Sequence, residues 1–226
     1  MIRFSRRRLL AAAAAVGALL PRLHARAAGA ALDPTPAMTE GPFYPEQWPA
    51  TPRASLIVGP LRAGVPLALS GSVRDARGAP LAGVRVEIWQ CDGLGRYRHS
   101  RDRGGEGVDP AFLGFGWGLS DASGQWAFET IRPVPYPGRT PHIHLSAIAP
   151  QGRRLITQIF IDGEPGNAND GLWRWLPEAA RRRVTIPLRA ASAAASAAPA
   201  PEPAAAAADV ARATRLEGRF DVVLRA

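Results

Sequence analysis

The sequence predicts an all-β fold: an antiparallel β-sandwich with long irregular loops and little helix. Three observations predict it. Short runs such as Val84-Arg85-Val86-Glu87-Ile88-Trp89-Gln90 alternate apolar with mostly polar residues, the pattern of a strand with one face on a core. Turn clusters separate the runs, among them Asp75-Ala76-Arg77-Gly78-Ala79-Pro80 and Asp121-Ala122-Ser123-Gly124. Hardly any stretch repeats its apolar residues at helical spacing, which leaves two packed antiparallel sheets as the way to build a core.

The elements follow in order. Residues 1–27 read as a signal peptide: Ser5-Arg6-Arg7-Arg8 is basic, Leu9–Leu20 is apolar, and Ala25-Arg26-Ala27 is a small-x-small cleavage site. The apolar run is shorter than the roughly 20 residues that a membrane-spanning helix needs. The Arg6-Arg7 pair resembles a twin-arginine export signal, a route that carries folded proteins. The expected destination is the periplasm or the exterior. Residues 28–66 are rich in Pro, Ala and Gly and read as an extended arm; Thr39-Glu40-Gly41-Pro42-Phe43-Tyr44-Pro45 is its most patterned part.

Strands are expected over Leu67–Val73, Val84–Gln90, Gln125–Ile131, Ile143–Ala149, Leu155–Asp162 and Gly218–Arg225. In the last of these, Phe220, Val222 and Leu224 share one face. Asp170–Arg183 reads as a short helix or irregular chain. Residues 190–214 form an Ala/Pro-rich low-complexity insertion, and 190–209 are almost wholly Ala, Ser, Pro and Glu. The sandwich domain is therefore expected to comprise 67–189 and 215–226.

Composition excludes several functions. The formal charge of the 226-residue chain is +9. Loss of the leader removes six arginines and no acid, which leaves +3. Lysine is absent and the arginines are scattered, so a nucleic-acid footprint is not supported. No segment after the leader is long and apolar enough for stable membrane insertion. Cys91 is the single cysteine, so no intramolecular disulfide forms and stability must come from the core.

The chemistry centres on Pro135-Tyr136-Pro137-Gly138-Arg139-Thr140-Pro141-His142-Ile143-His144. Two histidines two apart on a strand point to one face, and Ile143 points the other way. Tyr136 stands between two prolines in a loop of restricted φ. Gly95-Arg96-Tyr97-Arg98-His99 brings a second tyrosine to the end of another strand. Two imidazoles and two phenols make a four-ligand metal site, although a lone His-x-His on a strand is more often a structural pair. The chain has three tyrosines and four histidines, and His24 lies in the leader, so few other candidates exist.

These residues sit in a longer pattern. It runs Gly71-x-Val73, Gly78-x-Pro80-Leu81-x-Gly83-Val84-x-Val86-Glu87-Ile88-Trp89-Gln90, Gly95-Arg96-Tyr97 and Phe112-Leu113-Gly114. It continues through Thr130-Ile131-x-Pro133-x-Pro135-Tyr136-Pro137-x-Arg139, His142-Ile143-His144, Thr157-Gln158-Ile159-Phe160 and Gly163-Glu164-Pro165-x-Asn167-Ala168. The combination resembles the intradiol ring-cleavage dioxygenases, nearest their protocatechuate 3,4-dioxygenase-like branch with its exported members, over residues 35–176 and the last strand. The resemblance implies a non-haem Fe(III) ion bound by Tyr97, Tyr136, His142 and His144. It also implies a small catecholic substrate, O2 as co-substrate and a cis,cis-muconate product. Tyr136 would take up a substrate proton, Arg139 would stabilise negative charge on the ring, and Gln158 would stand close to the metal. A homo-oligomer, or pairing with a related chain, is in keeping with that branch.

Rival readings explain less. A copper site using Cys91 and two histidines would leave the tyrosines unexplained, and Met38 is the only methionine after the leader. A non-catalytic β-sandwich binding module explains the strands but not the four ligands. A relative that keeps iron but has lost catalysis would not need Arg139.

Overall fold

The computed structural model describes residues 31–102, 107–191 and 215–225. The leader, and the tract from 192 to 214, lie outside the described residues. In order, the elements are β1 (Pro66–Asp75), β2 (Arg85–Trp89), β3 (Phe115–Leu119), β4 (Gln125–Ile131), β5 (His142–Ile148) and β6 (Arg154–Ile161). A 3-10 turn (Pro165–Asn169), α1 (Gly171–Trp175) and α2 (Glu178–Val184) follow. The chain ends with β7 (Thr185–Ile186), β8 (Leu188–Ala190), β9 (Leu216–Arg219) and β10 (Val222–Leu224). Among the described residues no helix is long and apolar enough to cross a membrane.

The strands form two sheets. In the first, β1 pairs antiparallel with β4, while β9 and β10 lie along its other edge and β8 flanks β9. The second has the order β3-β2-β5-β6-β7. The all-β sandwich is as expected, but its pairing is mixed rather than wholly antiparallel. β9 and β10 run parallel to β1, and β7 runs parallel to β6. Parallel neighbours need a long crossover, and the turn-α1-α2 segment supplies one between β6 and β7.

The core lies between the sheets. Leu67, Leu69 and Val73 of β1 and Phe128 of β4 face Val86 and Ile88 of β2, Ile143 and Leu145 of β5, and Ile159 and Ile161 of β6. Burying each such side chain is worth about 1.5–3 kcal/mol. Phe220, Val222 and Leu224 join this core, as their shared face predicts.

Alternation along β2 leads one to expect a half-buried strand, yet Val86 to Trp89 are all buried, and β5 is buried through Ala147. The reason is a second cluster on the outer face of the second sheet. Trp89, Cys91 and Tyr97 are covered there by Phe43, Tyr44 and Trp48 of the arm, with Val134 and Tyr136. Tyr44 anchors this cover by donating its hydroxyl to the buried Glu87 at 2.9 Å. Trp117 Nε1 donates to Pro49 O at 2.8 Å.

Two local features escape the sequence pattern. β3 alternates Phe115, Trp117 and Leu119 with Gly116 and Gly118, and glycine is a poor strand former, so the run does not read as a strand. The expected last strand breaks into β9 and β10 at Phe220 and Asp221. There Phe220 N donates to Ser70 O, while the Asp221 side chain, in place of a backbone carbonyl, accepts from Ser72 N. Gly71 makes the close approach available: a Cβ there would lie 1.8 Å from Phe220 O.

Two consequences are measurable. Gly71→Ala should lower stability by about 1–3 kcal/mol or more, because backbone atoms must separate; an unchanged denaturation midpoint would contradict this packing. The ends of the Ala/Pro tract are held side by side, with Ala190 opposite Leu216 and Ala191 N donating to Arg215 O at 2.8 Å. Replacing 192–214 by a short Gly/Ser turn should therefore leave the melting temperature unchanged or slightly raised, since a shorter loop costs less closure entropy. A large drop would contradict this.

Candidate metal centre

β5 sets the frame. His142 and His144 lie on its outer face, opposite the core residues Ile143 and Leu145. Sheet register then places Trp89 of β2 and Gln158 of β6 on either side of His144. The Trp89 and His144 rings stack at 4.9 Å and 11°. Both histidines are 1% exposed, and their Nε2 atoms lie 3.2 Å apart. His142 Nδ1 lies 2.7 Å from Thr140 O, so it carries the proton and leaves Nε2 as a lone pair.

Two loops bring the tyrosines. The Cys91–His99 loop is built on Asp92, whose Oδ1 accepts from Leu94 N and Arg96 N. Tyr97 N donates to Asp102 Oδ2 at 2.6 Å, which sets the ring's point of departure. Pro137-Gly138 makes the second loop a tight turn: Gly138 has φ +82°, and Arg139 N donates to Tyr136 O at 2.9 Å. Tyr136 and Arg139 thus stand abreast as an isolated bridge pair. The rings converge, Tyr97–Tyr136 at 5.4 Å, Tyr136–His142 at 5.4 Å and Tyr97–His144 at 6.3 Å between centroids. All four sequence-predicted ligands therefore meet in one place.

The electrostatics of this place suit a cation. Burial lowers His142 to about 4, helped by the Arg139 charge, and holds His144 well below the usual histidine range. Both imidazoles are neutral near pH 7, the form that binds metal. Burial pushes Tyr97 well above 10, and it raises Tyr136 despite the Arg139 charge. Of the polar atoms on the four candidate ligands, two are buried without a partner, Tyr97 Oη and His144 Nδ1. Either tautomer of His144 leaves one of its nitrogens unsatisfied or two Nε2 lone pairs opposed, and a buried polar group left so costs about 1–3 kcal/mol. A cation among the four donors gives Tyr97 Oη a partner and lets the two opposed Nε2 lone pairs share one positive charge, while His144 Nδ1 keeps its proton and stays unpaired. Among the described residues no three His, Cys, Asp or Glu side chains cluster as a metal site, so a cation held here needs the phenols. The donor set fits a hard, highly charged ion.

Arg139 and Gln158 also reach this place. Arg139 Nε donates to Asp170 Oδ2 at 2.7 Å, and its Nη2 donates to Gln158 Oε1 at 2.6 Å. Gln158, fully buried, donates through Nε2 to Thr39 O at 3.1 Å. Arg139 is thus held in a salt bridge and also stands close enough to depress His142.

Sequence reasoning expects Tyr44 to pack the arm against the rim of the site, as it does, but misses Phe43, Gly41 and Asp170. Phe43 stacks on Tyr97 at 4.5 Å. Gly41 lies over His144, where a Cβ would sit 3.2 Å from Cε1. The patterned Thr39–Pro45 stretch was the available signal. Tyr44 packs edge-on against Trp89 at 5.0 Å, and burial, with its bond to Glu87, raises it to about 12. His99 remains peripheral, with Nδ1 accepting from Arg101 N and Nε2 3.8 Å from Glu46. Cys91 is buried, with Sγ directed to Val134 O.

Comparison with known proteins gives the family. The family described as Dioxygenase (Dioxygenase_C) matches residues 39–225. The chain is 40% identical over 129 residues to the protocatechuate 3,4-dioxygenase beta chain of Burkholderia cepacia, covering 54% of this chain and 55% of that one. It is 31% identical over 149 residues to hydroxyquinol 1,2-dioxygenase of Corynebacterium glutamicum, covering 58% and 47%. The chain thus spans about half the length of these curated relatives. Among solved structures it is similar to the dioxygenase domain of a dioxygenase carbohydrate-binding protein fusion from Streptomyces sp. SirexAA-E. There the TM-score is 0.60 and the identity 33%, over 85% of this chain and 99% of that one. Catechol 1,2-dioxygenase of Acinetobacter sp. ADP1 gives 0.60 and 27%, over 84% and 62%. With the family match extending from the arm to the last strand, the chain belongs to the dioxygenase family, among the intradiol ring-cleavage dioxygenases.

Proposed function

We propose that the chain is a non-haem Fe(III) dioxygenase that opens a catechol ring between its two hydroxylated carbons with O2. The carbon–carbon bond between them breaks and each carbon gains one oxygen atom, giving a cis,cis-muconate. The donor set carries this reading: two neutral imidazoles with Nε2 atoms 3.2 Å apart beside two phenols that burial keeps protonated. Recovering phenolates at such a place needs a strongly charged ion, and two phenolates offset most of a trivalent charge. When bound by Tyr97, Tyr136, His142 and His144, ferric iron would supply Lewis acidity to both catechol oxygens and make the ring reactive toward O2.

The chain's own groups divide the remaining work. Tyr97 is 4% exposed and pinned beneath Phe43, so it serves as the fixed donor. Tyr136 is only half-buried, and its Oη is the atom that takes up a substrate hydroxyl proton. Arg139 places a permanent positive charge beside the ring, where negative charge grows during reaction. Gln158 holds the Arg139 guanidinium from the β6 side. Phe43 and Gly41 of the arm keep water from Tyr97 and His144, which strengthens every charge interaction beneath them.

The substrate class is a small catechol, in keeping with the protocatechuate, hydroxyquinol and catechol named for the relatives. One relative is named a beta chain, and pairing with a related chain or self-association forms part of the proposal. This chain carries all four donors itself, so neither is required for the metal. Export by the leader also belongs to the reading, with the ring met outside the cytoplasm.

Protein loaded with ferric iron should be red-brown from a phenolate-to-iron charge-transfer band. It should consume O2 with at least one of catechol, protocatechuate and hydroxyquinol. Tyr97→Phe and Tyr136→Phe should weaken or shift the band. Substoichiometric iron without a band after reconstitution would contradict the metal assignment, and a band without O2 uptake on any of the three would contradict the activity.

Arg139→Ala should keep the iron, the band and a spectral shift on adding catechol, while turnover falls by about 10²–10³-fold. Arg139→Lys should restore only part of it, because a point charge does not reproduce the planar fork. Parental turnover in Arg139→Ala would reduce this arginine to a structural ion pair.

A further inference from the structure

Asp170 is more than the partner of Arg139: its two oxygens accept four hydrogen bonds from two segments, the loop that carries Arg139 and Thr140 and the first turn of α1. Oδ1 accepts from Leu172 N at 3.0 Å and Trp173 N at 3.1 Å, which caps α1. Oδ2 accepts from Arg139 Nε at 2.7 Å and Thr140 N at 3.1 Å. The Asp170 side chain is 0% exposed and that of Arg139 is 16% exposed. A carboxylate so placed is tolerated only because every lone-pair direction is used. Burial alone would raise its pKa, but bonds from Arg139 and Trp173 and the Arg139 charge hold it below the usual carboxylate range.

The consequence lies in what Oδ2 joins. Arg139 is fixed at two nitrogens, Nε by Asp170 and Nη2 by Gln158, so its plane is determined from two elements. Thr140, whose backbone N–H is held by the same oxygen, presents its carbonyl to His142 Nδ1 at 2.7 Å from the other side of its Cα. Thr140 Oγ1 in turn bonds the buried Asn167 at 3.1 Å, and Asn167 Nδ2 donates to Ile161 O at 2.9 Å. The turn between β6 and α1 thereby buttresses the loop that carries Tyr136 and Arg139.

We infer that Asp170 is a positioning residue of the reaction centre: its Oδ2 sets the Arg139 guanidinium and, through Thr140, the His142 imidazole. The inference rests on the ring-cleavage reading above. Its role differs from helix capping alone because the cap uses Oδ1, while the site uses Oδ2. An amide at 170 offers one acceptor oxygen to four donors. If that oxygen serves the cap, an NH2 group faces Arg139 Nε and Thr140 N, and both must move. Displacement of a catalytic group by about 1 Å can cost 10²-fold.

The test is a double-mutant cycle on iron-loaded protein: parent, Asp170→Asn, Arg139→Ala and both together. Iron content, melting temperature, the spectral titration with catechol and kcat are read for each. Asp170→Asn should stay folded and keep its iron, show weaker catechol binding and lose about 10–10²-fold in kcat. Added to Arg139→Ala it should cost clearly less than it costs alone, since the guanidinium it sets is already gone and only its hold on Thr140 and His142 remains. Parental kcat in Asp170→Asn, or losses that multiply independently, would overturn the inference while leaving the ring-cleavage reading intact. A parent that turns over none of catechol, protocatechuate and hydroxyquinol overturns both. Should Asp170→Asn fail to fold, Asp170→Glu keeps the charge but lengthens its reach by one methylene. A fall in kcat at full iron content then supports the inference, and parental kcat overturns it.

Discussion

Three polar rings are buried and a fourth half-buried over what would otherwise be the wet face of a sheet, and the rest of the molecule answers to that constraint. His142 and His144 are turned away from the sandwich core by the pleat, since Ile143 and Leu145 occupy it. To desolvate them, a second hydrophobic layer had to be built outside the second sheet. The arm supplies it with Phe43, Tyr44 and Trp48, and the Cys91–His99 and Val134–Thr140 loops complete it. Burial keeps the imidazoles neutral and the phenols protonated. It also leaves Tyr97 Oη and His144 Nδ1 without protein partners. The part of that desolvation that falls on Tyr97 Oη is what a cation at the site can relieve.

The surroundings are organised to prevent collapse of this arrangement. Trp89 holds His144 by stacking, while Thr140 O holds His142 by a hydrogen bond. Gln158 links Arg139 to the arm through Thr39 O, so the arm and the charged loop are held by one amide. Asp170 joins the same loop to α1. Each tie crosses between segments distant in sequence, and the site is rigid because sheet, loops and arm over-determine its positions.

Much of this was legible in the sequence. Period two along His142-Ile143-His144 places both imidazoles on one face without further information. Pro137-Gly138 announces the turn that sets Tyr136 beside Arg139. The strand runs from 67 to 73 and from 125 to 131 follow from alternation and turn chemistry, and the first extends in the structure to Pro66–Asp75. What was not legible depends on contacts that no local pattern encodes. β2 looks half-buried because the arm that covers its outer face lies some 40 residues upstream in the printed chain. β3 is hidden by Gly116 and Gly118. The last strand breaks because the Asp221 side chain replaces a backbone acceptor for Ser72 N, a substitution invisible to hydrophobic spacing. Asp170 caps α1 with one oxygen, and its second oxygen serves the site only through tertiary structure.

The central claim is that Tyr97, Tyr136, His142 and His144 together hold one ferric ion. The most direct measurement is an anomalous-difference map from crystals of iron-loaded protein, with data collected on either side of the iron absorption edge. The account predicts a single strong peak within bonding distance of Tyr97 Oη, Tyr136 Oη, His142 Nε2 and His144 Nε2. A peak elsewhere, or one bonded to the imidazoles with both phenols turned away, would contradict it.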